Sequence, residues 1–178
     1  TVAANGQCAG STADQSFTVN AAPTAAANTT PTSDVCEGTN VTLAGTGTAS
    51  ITAGSGSISG GDYVTGDIGS DETVTIRYTV AANGQCAGST ADQSFTVNAA
   101  PTAAANTTPT STICEGTNVT LAGNGTASIT AGSGSISGGD YVTGDIGSDE
   151  TVTIRYTVAA NGECAGSTSD KSFTVNAA

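Results

Sequence analysis

Two residue types in this chain could do chemistry by virtue of their spacing: cysteine and the carboxylic acids. Cys36 and Cys86 stand 50 residues apart, and Cys114 and Cys164 repeat that interval. The spacing predicts one disulfide within each of two repeating units, Cys36 with Cys86 and Cys114 with Cys164, each closing a loop worth roughly 4 kcal/mol in the chain-entropy model. Cys8, equivalent to Cys86, is left to pair with a residue ahead of Thr1. The competing reading is buried free thiols. Zinc is disfavoured, since there is no C-x-x-C and no His. Among the acids, Asp62, Asp67, Asp71 and Glu72 cluster in a Gly-rich stretch, echoed by Asp140, Asp145, Asp149 and Glu150. Hard oxygen ligands on adjacent loops would suit Ca²⁺, although neither an EF-hand nor a β-roll spacing is present. The plainer reading is a set of solvated acidic loops that keep the protein soluble.

Other chemistry is poorly supplied. Without His, the chain lacks the usual general base at neutral pH and the Ser/His/Asp triad. The stretch Gly54-Ser55-Gly56-Ser57-Ile58-Ser59-Gly60 has neither the G-x-G-x-x-G spacing nor the Lys of a phosphate loop, and reads as turn. A net charge of -12, from 15 acids against Arg77, Arg155 and Lys171, would repel phosphate backbones and anionic lipid surfaces. No apolar run approaches the roughly 18 residues of a membrane span. The expectation is therefore no enzyme, no nucleic-acid partner and no direct membrane insertion.

The elements that would position these residues follow from a repeat. Thr1-Val2-Ala3-Ala4-Asn5-Gly6-Gln7-Cys8 recurs at Thr79 and, with Glu163 for Gln, at Thr157, a period of 78 residues. The Pro-containing junctions divide the chain into an incomplete lead segment, 1–22, and two full units, 23–100 and 101–178. The units differ at six places: Asp34/Thr112, Val35/Ile113, Thr46/Asn124, Gln85/Glu163, Ala91/Ser169 and Gln93/Lys171. The lead segment matches the closing strands of a unit, so the expectation is a window onto a longer tandem array. Donor-strand exchange between chains is the alternative.

Within a unit, Val74, Ile76, Tyr78 and Val80 alternate with Thr73, Thr75, Arg77 and Thr79, the period of a half-buried strand. Val41-Thr42-Leu43 and Phe95-Thr96-Val97 repeat it more briefly, and Asn83-Gly84 marks a tight turn. No helical spacing occurs. About seven short strands per unit, broken by Gly-rich turns, predict an all-β protein of tandem immunoglobulin-like antiparallel sandwiches. With few aromatics, each core is small and a covalent staple would help it.

The run Cys36-Glu37-Gly38-Thr39-Asn40-Val41-Thr42-Leu43, followed by a Gly/Ser-rich middle, Thr73-Val74-Thr75-Ile76 and Asn83-Gly84-Gln85-Cys86, resembles the PKD-like and immunoglobulin-like repeats of very large surface proteins of Bacteroidetes-type bacteria. The Trp-Asp-Phe-Gly-Asp-Gly signature of typical PKD domains is absent. The resemblance implies secretion, often by the type IX system, and a role as an adhesin or stalk at the cell surface. The implied partners are neighbouring repeats of the same chain, other copies in a filament and an adhesion target that the sequence does not name. The alternative function is a weak, multivalent glycan- or surface-binding module, assisted by calcium.

Overall fold

A computed structural model describes all 178 residues as an all-β chain of sixteen strands, eight in each full unit against the seven or so expected from the pattern. The strongest alternation makes the longest pair. β7 (Glu72–Val80) buries Val74, Ile76 and Tyr78, and β8 (Ser89–Asn98) returns antiparallel with Phe95 opposite Val74. On the far edge of β7 lies β4 (Thr48–Ala53), with a bulge between Ile51 and Ala53. On the far edge of β8 lies the short β2 (Val35–Cys36), which runs parallel to it and sets Cys36 beside Asn98.

The second sheet orders β1 (Thr29–Thr30), β3 (Asn40–Leu43), β6 (Asp62–Val64) and β5 (Ser57–Ser59) from edge to edge. Lettered in chain order, the sheets are A-B-E-D and A′-G-F-C, the two-sheet partition of an immunoglobulin-like sandwich. Val41 and Tyr63 meet Val35, Val74, Ile76, Tyr78, Phe95 and Val97 between them. The Tyr63 ring stands edge-on to Phe95 at 5.5 Å. Both buried tyrosines find acceptors, Tyr63 Oη donating to the Ser55 carbonyl at 2.9 Å and Tyr78 Oη to the Asn28 carbonyl. Burial pushes both hydroxyls above the ordinary tyrosine range. Gly45 lies so close to the Tyr78 ring and the Ala26 carbonyl that a Cβ there would collide with both.

The second unit repeats this arrangement through β9 (Thr107–Thr108), β10 (Ile113–Cys114), β11 (Val119–Leu121), β12 (Thr126–Ala131), β13 (Ser135–Ser137), β14 (Asp140–Val142), β15 (Glu150–Val158) and β16 (Ser167–Asn176). Its core gathers around Tyr141, Ile154, Tyr156 and Phe173 and shares no residue with that of the first unit. The lead segment has only the tip of a hairpin: Asn5 and Cys8 exchange backbone hydrogen bonds, as do Val2 and Ser11. With no sheet beside them, Phe17 and Val19 are 83% and 81% exposed, whereas their equivalents Phe95 and Val97 are 4% and 0%.

Candidate functional site

The chemistry of this chain is concentrated where the first unit meets the second. β8 and β2 end side by side, so Asn98 and Cys36 share the exit end of the first sandwich. Facing them is the turn between β15 and β16, where Asn161 and Cys164 exchange backbone hydrogen bonds at 3.1 and 2.8 Å. Gly162, at φ +51°, turns the chain there and leaves room for the Asn98 side chain, which a Cβ would strike. Cys36 is bonded to Cys164, with Cα atoms 4.7 Å apart and a sequence separation of 128. That Cα distance lies within the range a disulfide spans without backbone movement.

This pairing replaces both bonds expected from the spacing. Cys86 and Cys114 carry free thiols, as does Cys8. The reason is geometric. Cys86 lies in the turn ahead of β8, and Cys36 stands beside the last residue of β8. The ten residues of β8 separate them, roughly 30 Å at about 3.3 Å per residue, while a disulfide needs Cα atoms within about 7 Å. Cys114, beside Asn176, is held away from Cys164 by β16 in the same way. The cysteine at one end of a sandwich can reach only the turn cysteine of the next.

A polar network surrounds the bond. Asn161 Nδ2 donates to Asp71 Oδ1 at 2.7 Å and to the Ala99 carbonyl at 3.0 Å. The Glu163 amide donates to Asn98 Oδ1 at 3.1 Å, and Cys164 Sγ lies 3.2 Å from the Asn98 carbonyl oxygen. Asp71 also accepts from the Ala99 amide at 2.8 Å. That amide, and after it Asn161, hold the Asp71 carboxyl below its ordinary range. Glu37 grips the same exit, taking the Ala100 amide on Oε2 and the Ile68 amide on Oε1, both at 2.9 Å. The Ala100 amide foremost, then that of Ile68 and the Asp67 side chain, lower its pKa. A shallow groove borders the bond, between Pro31, Asp34 and Thr39 of the first unit and Glu163 of the second.

The acids singled out for calcium are thus dispersed over separate structural tasks. Asp71 holds the interunit link, and its equivalent Asp149 takes the Ala177 amide at 2.9 Å. Glu72 and Glu150 accept from the amide and hydroxyl of Ser55 and Ser133. Asp62 and Asp140 lie in β6 and β14, and Asp67 and Asp145 in the loops that follow. No three of the Asp, Glu, Cys or His side chains converge as a cation would require, so the calcium set is not assembled. Glu37, Asn98 and Asn161 were not among the expected site residues. Their sequence signal is position: each adjoins a cysteine or a junction in every full unit.

The polar ends of two immunoglobulin-like sandwiches, closed by an interunit disulfide, define a tandem-repeat protein whose distinctive site is its junction. No family model and no curated protein matches the chain. Among solved structures it is similar to the crystal structure of the protocadherin gamma B4 extracellular domain, with 13% identity and a TM-score of 0.30 over 88% of this chain and 33% of that one. The chain spans about a third of the length of that structure. The immunoglobulin-like assignment rests on the sheet order above.

Proposed function

We propose that this chain is a length of an extracellular stalk, a spacer of a large bacterial surface adhesin that holds an adhesive tip away from the cell. The observation that carries the reading is the bonded junction: chemistry is invested in fixing one sandwich to the next. A disulfide between Cys36 and Cys164 persists in oxidising surroundings, which supports a secreted location. Near-identity of the units suits an object whose useful property is length, and a net charge of -12 keeps such a polymer soluble. The lack of His, the usual general base at neutral pH, favours a structural reading over a catalytic one.

Two measurements test it. Small-angle scattering of the oxidised chain is expected to give an elongated particle whose longest dimension is that of two sandwiches end to end; a compact globule overturns the spacer. Immunogold labelling of intact producing cells is expected to decorate projections outside the envelope; label confined to the cytoplasm overturns the location.

A further inference from the structure

Asn161 makes the side-chain contact that seats the second unit on the first, and it stands in the sequence context in which an asparagine amide is least durable. Its Nδ2 spends both hydrogens on the first unit, donating to Asp71 Oδ1 at 2.7 Å and to the Ala99 carbonyl at 3.0 Å. Gly162 follows it in an exposed turn at φ +51°. The junction requires glycine there, because a Cβ would strike the Asn98 side chain. The same missing Cβ leaves the Gly162 backbone nitrogen open to approach by the Asn161 side chain, and asparagine is a chemically labile residue.

We propose that Asn161 is a modification site, protected while the two units are docked, whose conversion to aspartate or isoaspartate irreversibly loosens the junction. The Gly162 nitrogen gives its proton to hydroxide and bonds to Asn161 Cγ, the Cγ–Nδ2 bond breaks, and ammonia leaves. One water then opens the resulting cyclic imide at either carbonyl. Water enters and ammonia departs, with no oxidant and no cofactor. Docking slows the first step, since an Nδ2 pinned to Asp71 and Ala99 keeps Cγ from swinging onto the turn nitrogen. Either product is an acceptor without a donor. Asp71 and the Ala99 carbonyl lose their partner, and Asp71 meets a like charge instead. The isoaspartate also lengthens the backbone of the turn that Asn161 and Cys164 close with hydrogen bonds at 3.1 and 2.8 Å. The Cys36–Cys164 bond is untouched, so the modified junction stays tethered while it loses its fixed orientation. This chemistry is a property of the junction and does not depend on the stalk reading.

The test incubates the full oxidised chain in mildly alkaline buffer and follows Asn161 and Asn83 by peptide mass spectrometry, with isoaspartyl methyltransferase labelling to mark the isoaspartate. Glu163 in place of Gln85 distinguishes the two peptides. Asp71→Ala is expected to speed conversion at Asn161 by about threefold to tenfold, the range for one lost hydrogen bond, and to leave Asn83 unchanged. Asn161→Asp, which installs one product directly, is expected to retain the Cys36–Cys164 bond and to raise cleavage of the link near Ala99 by a neutral protease by a similar factor. An Asn161 that converts as fast in the parent as in Asp71→Ala, an Asn161 that stays intact in both, an Asp71→Ala chain in which Asn83 speeds up equally, or an Asn161→Asp link as resistant as the parent's would each overturn the proposal. All of these outcomes leave the stalk reading to its own measurements.

Discussion

The turns carrying Cys86 and Cys164 have nearly the same sequence, and an Asn-Ala segment of the preceding chain docks on each, yet only one is sealed. Asn83 holds the Ala21 carbonyl as Asn161 holds that of Ala99, and each cysteine sulfur lies against the carbonyl of Asn20 or Asn98. At Cys164 a β2 strand is also present, bringing Cys36 alongside, with Asp71 arriving from the loop ahead of β7. At Cys86 no such strand stands beside Val19 and Asn20. The backbone contacts at the two turns are alike, and at Cys164 the bond is made by the Cys36 that β2 seats beside Asn98. The covalent bond belongs to the contact between units and not to the unit.

Breaking that contrast at its strongest point means removing the bond. A Cys36→Ser, Cys164→Ser double variant should lower the denaturation free energy by up to about 5 kcal/mol, the chain-entropy value for a separation of 128 residues. Circular dichroism should still report β structure, because each unit keeps its own core. Ile76→Ala and Ile154→Ala, both at fully buried positions, should each cost about 2–5 kcal/mol in chemical denaturation. Loss in one unit should leave the other's transition in place once the disulfide is reduced.

Acid sharpens the comparison further. The Asp71 pKa is lowered in the folded protein by the Ala99 amide and Asn161, so its contribution is complete above the ordinary carboxylate pKa and is lost as pH falls through the lowered value. In the reduced protein, proteolytic cleavage of the link near Ala99 should accelerate over that acid window, using an acid-active protease, and Asp71→Asn should abolish the pH dependence. The smallest effect concerns a natural difference between the units. Ser169 Oγ accepts the Ala105 amide at 3.2 Å, while Ala91 offers Ala27 no such acceptor. Ala91→Ser should stabilise the first unit by about 0.5 kcal/mol, the low end for one hydrogen bond, measured as a shift in its denaturant midpoint.

The sandwich was legible in the sequence because burial imposes its period directly: Val74, Ile76 and Tyr78 face one core, and the alternation names the strand before any coordinate does. The Asn83-Gly84 turn was legible for a similar reason, since only a few residues accept its backbone. The cysteine pairing was not. An interval of 50 residues measures distance along the chain, and the pairing depends on which end of β8 each cysteine occupies. That is fixed by the parallel seating of the two-residue β2, too short to announce itself. The acids misled for a related reason. Asp71 and Glu37 resemble solvated loop residues in sequence, and only the return of the chain past them supplies the amides they hold.

The place of the Cys36–Cys164 bond decides how this molecule answers a pull on its two ends. Tension entering at Thr1 reaches Cys36, crosses through sulfur to Cys164 and leaves along β16, so the 127 residues between them carry none of it. At about 3.4 Å per extended residue, roughly 430 Å of slack is locked away. Until that bond is reduced, both sandwiches could unravel locally without the tether growing by more than a fraction of its hidden length.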